Sequence, residues 1–390
     1  MRILSVLTYY RPHTSGLTIY AERLARALVG RGHQVTVLTS RFTPALPREE
    51  VEHGVRIVRV PVLFRVSKGV IMPTFGAIAT RLVCQHQVIH LHLPQLDAAG
   101  VALRGRVLRR PPVVTYHCDL TLPPGLFNRV VNQVVHLMNH LAARAALRLV
   151  TYTADYAAGS PFLSRWADKV EVIPPPIELP EVTPAEVTRF AARCNPQGRR
   201  PVIGMAARLA AEKGVEVLLE ALPAVLEQHP EATVVFAGQH QNVLGEVSYW
   251  QRLAPTLERL SSAGRWRFLG VLDPAEMAAF YPNLDVLVVP SLNATESFGM
   301  VQIEAMMRGT PVVASDLPGV RQPVQHTGMG RIAVVGDARS LAQALLEVLG
   351  DRKRFAGNPQ GVAAAFTPDA CARAYEALFE SLLLEMGRGR

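Results

Sequence analysis

The sequence predicts an α/β protein made of two doubly wound, Rossmann-like domains that face one another. Three observations predict this fold: short apolar runs alternate with amphipathic helical segments, the alternation stops at a proline-rich stretch, and it then starts again. Alternation of this kind indicates parallel strands with helices on both faces of the sheet. A chain of 390 residues is long enough for two such domains.

The first domain is predicted over residues 1–174. Its first strand, Ile3–Leu7, leads through a loop into a helix whose apolar residues have helical spacing and which ends at Gly30 and Gly32. The next apolar runs have the length and composition of strands, and they are "QVTVLT", "VRIVRVP", "QVIHLHLP" and "PPVVTYH".

A linker is predicted over residues 170–185, "VEVIPPPIELPEVTPA", because its five prolines do not fit a regular helix or a central strand. The second domain is predicted over residues 175–365. Its strands lie in the segments "RPVIGMAARL", "ATVVFAG", "WRFLG", "DVLVVPS" and "TPVVAS". Residues 366–390 are predicted to form a final helix with four clustered apolar residues, Leu378, Phe379, Leu382 and Leu383.

Composition and charge limit the class of function. Of the residues, 49% are hydrophobic and 19% are charged, which is typical of a packed globular protein rather than a disordered one. The net charge of +9 indicates an anionic partner, but the dispersed arginines carry no nucleic-acid-binding signature, so we expect no nucleic acid. The four cysteines lack CxxC spacing and the amino-terminal residues lack a signal-peptide pattern, so we expect a reducing, cytoplasmic location.

Two glutamates, Glu296 and Glu304, flank a turn that follows the strand "DVLVVPS". The helix after this turn is predicted to begin near Gly299 and to run through Met307. Amides at a helix N-terminus bind anions and carboxylates accept hydrogen bonds from sugar hydroxyls, so the pattern suits a ligand with both phosphates and hydroxyls. Alternatively, Glu296 only compensates the helix dipole and Glu304 is a solvated helix residue.

Two cations lie five positions apart across a strand-to-helix turn in "MAARLAAEKGVEVLLEAL". Arg208 ends the strand and Lys213 precedes the helix. A guanidinium fork and an ammonium group at this spacing can converge on one diphosphate. The alternative is a pair of exposed loop cations with no shared ligand.

Three residues of the first half are weaker candidates. Gly16 in the first strand-to-helix loop resembles a glycine that approaches phosphate, but one glycine is not the GxGxxG pattern. His117 follows the strand of "VVTYHCDL", at the carboxyl end where such sheets bind ligands, and Asp119 is close to it. A single histidine in this position is also compatible with a purely structural role.

The segment "LFNRVVNQVVHLMNHLAARAALRLV" is predicted to be an amphipathic helix. Its apolar face consists of Phe127, Val130, Val131, Val134, Val135, Met138, Leu141 and Ala142. Its basic face consists of Arg129, His136, His140, Arg144 and Arg148. The apolar face either packs on the sheet, which leaves a solvated basic face, or the helix contacts an anionic membrane or a lipid-phosphate acceptor.

Together these segments resemble one family, the family-four retaining glycosyltransferases of GT-B fold, over nearly the whole chain. "TESFGMVQIEAMMRGTPVVASDLPGVRQPV" is similar to its donor-site signature of two glutamates separated by seven residues, and "RLAAEKGVEVLLEAL" is similar to its diphosphate motif. "VVTYHCDL" resembles the histidine motif of its acceptor domain, and "RGHQVTVLT" resembles its amino-terminal unit. The GT-B fold implies that the two domains face one another across a cleft.

The resemblance implies a role for each candidate residue. Gly16 faces the donor diphosphate, His117 approaches the transferred sugar, and Asp119 lies on the acceptor side. Arg208 and Lys213 neutralise the diphosphate, which leaves as an anion.

The same resemblance assigns the donor-binding residues of the second domain. Glu296 contacts hydroxyls of the donor sugar, Glu304 binds the ribose, and Val271 lies beside the base. The backbone amides that hold sugar and phosphate are those of Ser297, Phe298, Gly299 and Met300.

Three positions depart from the family pattern. Ser15 precedes Gly16 where the family has two adjacent glycines, and Ala207 precedes Arg208 where the family has glycine. Pro175 and Pro176 replace an Asn-Gly pair at the junction of the domains. None of these departures removes a charged group that the chemistry needs.

The implied reaction is the transfer of a hexose-type sugar from a UDP- or GDP-type donor to an acceptor hydroxyl, without metal or other cofactor. A glycan or lipid-linked acceptor of cell-envelope biosynthesis is expected, as is peripheral contact with the inner face of an anionic membrane. A nucleotide-sugar epimerase, a pyridoxal-phosphate-dependent phosphorylase and a non-catalytic nucleotide-sugar-binding protein remain alternatives. An NAD dehydrogenase is disfavoured because the first glycine loop lacks the dinucleotide fingerprint.

Overall fold

The computed structural model describes residues 1–66, 69–120 and 125–388. The chain divides into two compact units, one formed by Met1–Pro176 with Phe366–Arg390 and the other by Ile177–Ala365. The last two residues of the predicted final segment lie outside the described residues. Each unit is a parallel sheet with helices packed on it, so the predicted doubly wound α/β fold is confirmed.

The first unit contains an eight-stranded sheet in the order β10-β9-β8-β7-β1-β2-β4-β3, in which only the edge strand β3 is antiparallel to its neighbour. The strands of this unit are β1 (Arg2–Val6), β2 (Gln34–Arg41), β3 (Glu49–Glu52), β4 (Val55–Pro61), β5 (Phe64–Val66), β6 (Gly69–Ile71), β7 (Val88–Leu93), β8 (Pro112–Tyr116), β9 (Arg148–Thr151) and β10 (Val170–Val172). Strands β5 and β6 pair separately with each other.

The helices of the first unit cover both faces of this sheet. They are α1 (Gly16–Gly30), α2 (Phe75–Gln85), α3 (Ala98–Val107), α4 (Leu126–Ala145) and α5 (Ala154–Gly159), with a 3-10 segment at Leu163–Lys169. The last helix of the chain, Pro368–Arg388, also belongs to this unit and packs on α1. Its Tyr375 and Phe379 are fully buried there, which makes the end of the chain part of the first core.

The second unit contains a six-stranded, fully parallel sheet in the order β13-β12-β11-β14-β15-β16. Its strands are β11 (Val202–Ala206), β12 (Thr233–Ala237), β13 (Trp266–Gly270), β14 (Val286–Val289), β15 (Val312–Ser315) and β16 (Gly330–Ala333). Its helices are α6 (Pro184–Cys194), α7 (Val215–Gln228), α8 (Val247–Ser262), α9 (Pro274–Phe280), α10 (Met300–Met307), α11 (Gln322–Thr327), α12 (Ala338–Gly350) and α13 (Pro359–Ala365), so that the final helix of the chain is α14. Three 3-10 segments lie at Ala211–Lys213, Tyr281–Asn283 and Arg352–Phe355.

The extended proline-rich segment is shorter than the predicted linker at both ends. Strand β10 takes up residues 170–172 because this part of the segment pairs with β9 before the first proline. At the other end, Pro184 is the first residue of α6, where its missing N–H costs nothing. Thr183 and Glu186 form a capping box that stabilises the same helix end.

A glycine brings two loops of the second unit into contact at the carboxyl edge of its sheet. Gly214 has φ +67° and precedes α7, and a Cβ atom at this position would lie 2.0 Å from the carbonyl oxygen of Pro290. The amide of Leu292 donates to the carbonyl of Glu212 at 3.0 Å in the same contact. Only glycine fits this position, since other residues meet both the strained backbone and the carbonyl.

We therefore expect Gly214→Ala to destabilise the second unit by about 2–4 kcal/mol. The matched control is Gly350→Ala at the end of α12, where an added Cβ meets nothing within 4 Å. Chemical denaturation of both variants checks this. Equal stability of the two variants would contradict the close packing at Gly214.

Candidate functional site

Two ion pairs lie at the carboxyl edge of the second unit's sheet. Lys213 Nζ lies 2.6 Å from a carboxylate oxygen of Glu296, and Arg208 Nη2 lies 3.1 Å from Glu212. Arg208 follows β11, and Lys213 directly precedes Gly214, the N-cap residue of α7. The structure thus brings three of the predicted site residues, Arg208, Lys213 and Glu296, to one edge of the sheet.

The loop that carries the two cations is fixed by buried polar contacts. The side chain of Glu246 is buried and accepts a hydrogen bond of 3.1 Å from the amide of Ala211, at the start of the 3-10 segment. The side chain of Arg208 remains about 41% exposed, whereas that of Lys213 is 17% exposed. The guanidinium is therefore accessible to a ligand, and the ammonium is held beside a carboxylate.

The turn before α10 presents a helix N-terminus at the same edge. Gly299 has φ +75° and is the N-cap residue, so α10 begins at Met300, as predicted. Ser297 and Phe298 are buried in the turn. The side-chain amide of Gln302 donates to the carbonyl of Phe298 at 2.8 Å and to that of Val320 at 2.9 Å, which fixes the turn.

Glu304 lies on the buried side of α10 rather than in solvent. One of its carboxylate oxygens accepts a hydrogen bond of 2.7 Å from the hydroxyl of Tyr281. The carbonyl of Tyr281 in turn accepts a bond of 2.6 Å from Thr310. Glu304 is therefore not a solvated helix residue, which was the alternative interpretation of this position.

Val271 follows β13 and is 64% exposed at the carboxyl edge of the same sheet. The amide of Gly238, at the end of the neighbouring strand, donates to the carbonyl of Gly270 at 2.7 Å. Ala207 also packs against Gly238, because a Cβ atom on Gly238 would lie 1.9 Å from the carbonyl oxygen of Ala207. The replacement of the family glycine by Ala207 thus leaves the strand ends tightly packed.

In the first unit, Gly16 is the first residue of α1 and is exposed. The preceding Ser15 is the N-cap, and it forms a capping box with Thr18. Its hydroxyl accepts from the amide of Thr18 at 3.2 Å, while the Thr18 hydroxyl accepts from the amide of Ser15 at 2.8 Å. The serine that departs from the two-glycine pattern therefore stabilises the helix start.

His117 directly follows β8 and is only 6% exposed. Its Nε2 lies 2.9 Å from Nδ1 of His92, and its Nδ1 is hydrogen-bonded to the hydroxyl of Tyr152. Burial lowers the pKa of His117 well below the ordinary value, and nearby His92 lowers it further. Both ring nitrogens are thus engaged inside the first unit, and the imidazole is neutral at pH 7.

Asp119 is the centre of a second buried network in the first unit. Its carboxylate accepts hydrogen bonds from the hydroxyls of Tyr116 at 2.8 Å, Ser160 at 3.0 Å and Tyr156 at 3.1 Å. Its amide also donates to Tyr156 at 2.6 Å. These bonds fix the loop that follows His117, which is a positioning role that the sequence did not indicate.

Helix α4 does not bury its whole apolar face against the sheet, as the first of its two interpretations requires. Its buried residues are Asn139, Ala142 and Ala143, whereas half of the eight residues of the predicted apolar face are exposed. The exposed large apolar residues are Leu126, Phe127, Val130, Val134, Leu137 and Leu141. The interpretation in which the whole apolar face packs on the sheet is therefore not supported, and the fully buried positions are Asn139 and two alanines instead. Within the described residues, no helix combines the length and the apolar character needed to cross a bilayer.

Sequence reasoning missed several residues that support the site. They are His92, Tyr152, Tyr281, Gln302 and Glu246. His90 and His92 alternate in the buried strand β7, and polar residues within such a strand were the available signal for the first network. Tyr152, Tyr281 and Glu246 come from other parts of the chain than their partners, and Gln302, within α10, has no local pattern that indicates its role.

The geometry of the second unit suits a ligand with phosphates and hydroxyls. Arg208 and the amides at the start of α10 can bind anionic oxygens, and the carboxylates of Glu296 and Glu304 can accept hydroxyl hydrogen bonds. Within the part of the chain that the structure describes, no three or more His, Cys, Asp or Glu side chains form a metal-binding group. Gly16, His117 and Asp119 lie in the first unit, where they form a separate set.

Two family descriptions match the chain in sequence. Residues 188–358 match "Glycosyl transferases group 1", and residues 15–176 match "Glycosyl transferase 4-like domain". Together they account for most of both units.

Curated relatives match along nearly their whole length. A phosphatidyl-myo-inositol mannosyltransferase from Mycolicibacterium smegmatis is 28% identical, over 92% of this chain and 87% of its own. A 2-deoxystreptamine N-acetyl-D-glucosaminyltransferase from Streptomyces fradiae is also 28% identical, over 96% of this chain and 91% of its own.

Solved structures are similar in fold. The Anabaena protein HepE in complex with UDP-glucose has a TM-score of 0.75 at 21% identity, over 98% of this chain and 100% of that chain. A sucrose-phosphate synthase from Thermosynechococcus elongatus has a TM-score of 0.73 at 22% identity, over 98% and 99% of the two chains. The similarity in fold therefore covers both units.

The buried histidines should make the first unit sensitive to acid. Burial lowers the pKa of His92 to about 3 and those of His90 and His117 well below the ordinary value. Because the unfolded chain binds protons at higher pH than the folded one, the stability is full above about pH 6.5 and decreases as pH falls. At pH 5.5 the loss should be about 1.4 kcal/mol per histidine, or roughly 4 kcal/mol for the three.

Calorimetry of the full chain at pH 7.5 and 5.5 measures this loss. His90→Leu should remove about a third of the acid sensitivity, since one of the three groups is gone. Identical unfolding temperatures at the two pH values would show that these histidines are not buried as neutral groups.

Proposed function

The chain belongs to the GT-B glycosyltransferases of the family-four type, and from this premise we propose that it is a retaining hexosyltransferase. In this proposal a hexose moves from a UDP- or GDP-sugar to an acceptor hydroxyl and keeps its anomeric configuration. The observation that best supports it is the 2.6 Å ion pair between Lys213 and Glu296, beside the pair of Arg208 and Glu212. These charges lie at the sheet edge where doubly wound domains bind ligands.

The cations would stabilise the departing nucleoside diphosphate. As the bond between the sugar and the phosphate oxygen breaks, negative charge grows on the diphosphate. Arg208 offers a guanidinium fork, Lys213 offers a point charge, and the first amides of α10 add a third source of positive potential. Because these fixed charges supply the stabilisation, the proposed reaction requires no metal or other cofactor.

Retention is proposed to follow a front-face route. Glu296 is paired with Lys213 and is therefore a weak nucleophile, which disfavours a covalent glycosyl-enzyme intermediate. In the front-face route, the acceptor oxygen bonds to the anomeric carbon on the face from which the diphosphate leaves. The proton of the acceptor hydroxyl passes to the leaving phosphate oxygen, so charge and atoms balance.

The donor would be recognised by groups of different chemistry along its length. We propose that Glu296 accepts hydrogen bonds from sugar hydroxyls and that Glu304, oriented by Tyr281, accepts them from the ribose. The exposed Val271 would contact the base, and the amides from Ser297 to Met300 would hold sugar and phosphate. Gly16 is proposed to face the donor diphosphate, and His117 is proposed to approach the transferred sugar.

Replacement of either cation should abolish most turnover. We expect Lys213→Ala and Arg208→Ala each to lower kcat by roughly two to three orders of magnitude, because each removes a preorganised charge on the leaving group. Transfer of labelled hexose from UDP-glucose and GDP-mannose to octyl glucoside and to phosphatidylinositol vesicles measures this.

Arg252→Ala is the matched control, because Arg252 is an exposed arginine of the same unit paired with Glu216. It should keep wild-type turnover. Near-normal turnover of both cation variants would refute the proposed roles. Incubation with donor alone separates the alternatives, since an epimerase isomerises the sugar nucleotide without acceptor and a binding protein releases no nucleotide.

The acceptor is proposed to be lipid-linked and presented at an anionic membrane on the cytoplasmic side, as in cell-envelope biosynthesis. The exposed apolar residues of α4 form one stripe along the helix, and Leu103 and Val107 of the neighbouring α3 are also exposed. The stripe suits insertion at the level of the lipid headgroups. The similarity to a phosphatidyl-myo-inositol mannosyltransferase adds support for a lipid acceptor.

Cations lie at the end of the same helix. The ammonium of Lys169 donates to the carbonyls of Ala143 and Ala146, at 3.1 and 3.0 Å. Burial is the main cause that lowers the pKa of Lys169; Asp168 opposes this shift, and the nearby Arg106, Arg144 and Arg148 add to it. Such a cluster attracts anionic lipid and weakens with salt.

The membrane proposal predicts flotation with anionic liposomes at low salt. The triple variant Phe127→Ser, Val134→Ser and Leu141→Ser should lose flotation because it removes apolar surface without changing charge. The double variant Leu244→Ser and Val247→Ser, which alters two exposed apolar residues of the other unit, should float like the wild type. Absence of wild-type flotation, or equal flotation of the triple variant, would exclude α4 as the contact.

A further inference from the structure

Four buried polar side chains form a continuous hydrogen-bonded chain across four neighbouring strands of the first unit. Ser5 lies in β1, His92 in β7, His117 directly after β8 and Tyr152 directly after β9, and these strands are adjacent in the sheet. Ser5 Oγ lies 3.0 Å from Nε2 of His92, and His92 Nδ1 lies 2.9 Å from Nε2 of His117. Nδ1 of His117 is bonded to the Tyr152 hydroxyl.

The three hydrogen bonds that link these four side chains all run in the same direction at any moment. Burial keeps the pKa of both imidazoles below the ordinary value, so each ring is neutral and has one N–H donor and one bare nitrogen. Each ring must therefore accept on one side and donate on the other. Either the phenol of Tyr152 starts the chain and Ser5 accepts at its end, or every bond is reversed.

The chemistry of the two ends selects the direction. A phenol O–H is a stronger donor than an aliphatic hydroxyl, and a serine oxygen is the better acceptor of the two. Donation from Tyr152 leaves Nδ1 of His117 bare and places its proton on Nε2, which donates to Nδ1 of His92. The proton of His92 then lies on Nε2 and is donated to Ser5.

We propose that His92 and Tyr152 are positioning residues that hold His117 as one neutral tautomer, protonated at Nε2, with its ring plane fixed. This role rests on the proposed function, in which His117 belongs to the donor-sugar site. A neutral ring adds no positive charge next to a sugar that develops oxocarbenium character. The chain would thus keep an unfavourable imidazolium out of the transition state.

The groups around His117 are consistent with this role. The ring of Tyr20, from α1, lies 5.0 Å from that of His117 at an interplanar angle of 88° and limits its rotation. The hydroxyl of Tyr20 is bonded to Tyr375 of α14 at 2.7 Å, and Tyr375 is bonded to Thr115 at 2.6 Å. His92, Tyr152 and Tyr20 contact His117. Burial lowers the pKa of His92 and raises that of Tyr20, so both groups are uncharged at pH 7.

The tautomer can be read directly from the full-length protein. Long-range proton–nitrogen correlation spectra of the ¹⁵N-histidine-labelled chain should show His117 and His92 protonated at Nε2 at pH 7. Spectra that show His117 protonated at Nδ1, or as an imidazolium, would overturn the proposal. This measurement needs no activity, so it is independent of the proposed function.

Two variants test the positioning role. Tyr152→Phe should give a mixture of His117 tautomers and lower kcat by roughly ten- to a hundred-fold, with the donor KM changed less than about two-fold. Ser5→Ala, at the far end of the chain, should change the His92 signals and lower kcat less. An unchanged kcat in Tyr152→Phe would overturn the role in the reaction.

Tyr249→Phe provides the control, because it removes a buried tyrosine hydroxyl in the second unit that is bonded to Glu216. It should lose stability but leave the His117 spectrum and kcat unchanged. If the wild type transfers no sugar, the proposed function fails, while the tautomer assignment is still decided by the spectra. If the wild type is active and Tyr152→Phe lowers only stability, the positioning role fails alone.

Discussion

Parallel strands that are covered by helices on both faces all end at the same edge, and the rest of the structure depends on this constraint. The interior of each sheet is apolar, so polar and charged side chains collect where the strands end. In the second unit that edge holds Arg208, Lys213 and Glu296. In the first unit it holds His117 and its partners. The sheet topology therefore decides where the polar and charged side chains lie.

The two sheet edges stabilise their polar groups in different ways. The second unit pairs full charges, and the pairs keep the cations in place for an anion that can exchange with the carboxylates. The first unit keeps His92 and His117 neutral, and each of their ring nitrogens has a neutral partner. The edge of the second unit's sheet therefore carries charged pairs, whereas the edge of the first unit's sheet carries a neutral network.

The sequence predicted best the features that depend on residues close to one another in the chain. The start of α10 at Met300 and the positions of the cations followed from helix capping and from the strand-to-helix turn. The residues that complete the site were not predictable, because Tyr281, Tyr152 and His92 reach their partners from distant segments. For a related reason, the sequence could not decide between the two interpretations of α4. Periodicity reveals an apolar stripe, but only the neighbouring elements decide which side of a helix is buried.

The burial of Tyr375 and Phe379 in the first unit has a consequence for synthesis on the ribosome. Strands β1 to β10 emerge first, yet their core lacks a helix that is encoded by the last residues of the chain. The unit formed by Ile177–Ala365 is contiguous and has all its parts once α13 has left the exit tunnel. The unit that is translated first is therefore completed only after the whole second unit has been made, and until α14 emerges its uncovered apolar surface is accessible to chaperones.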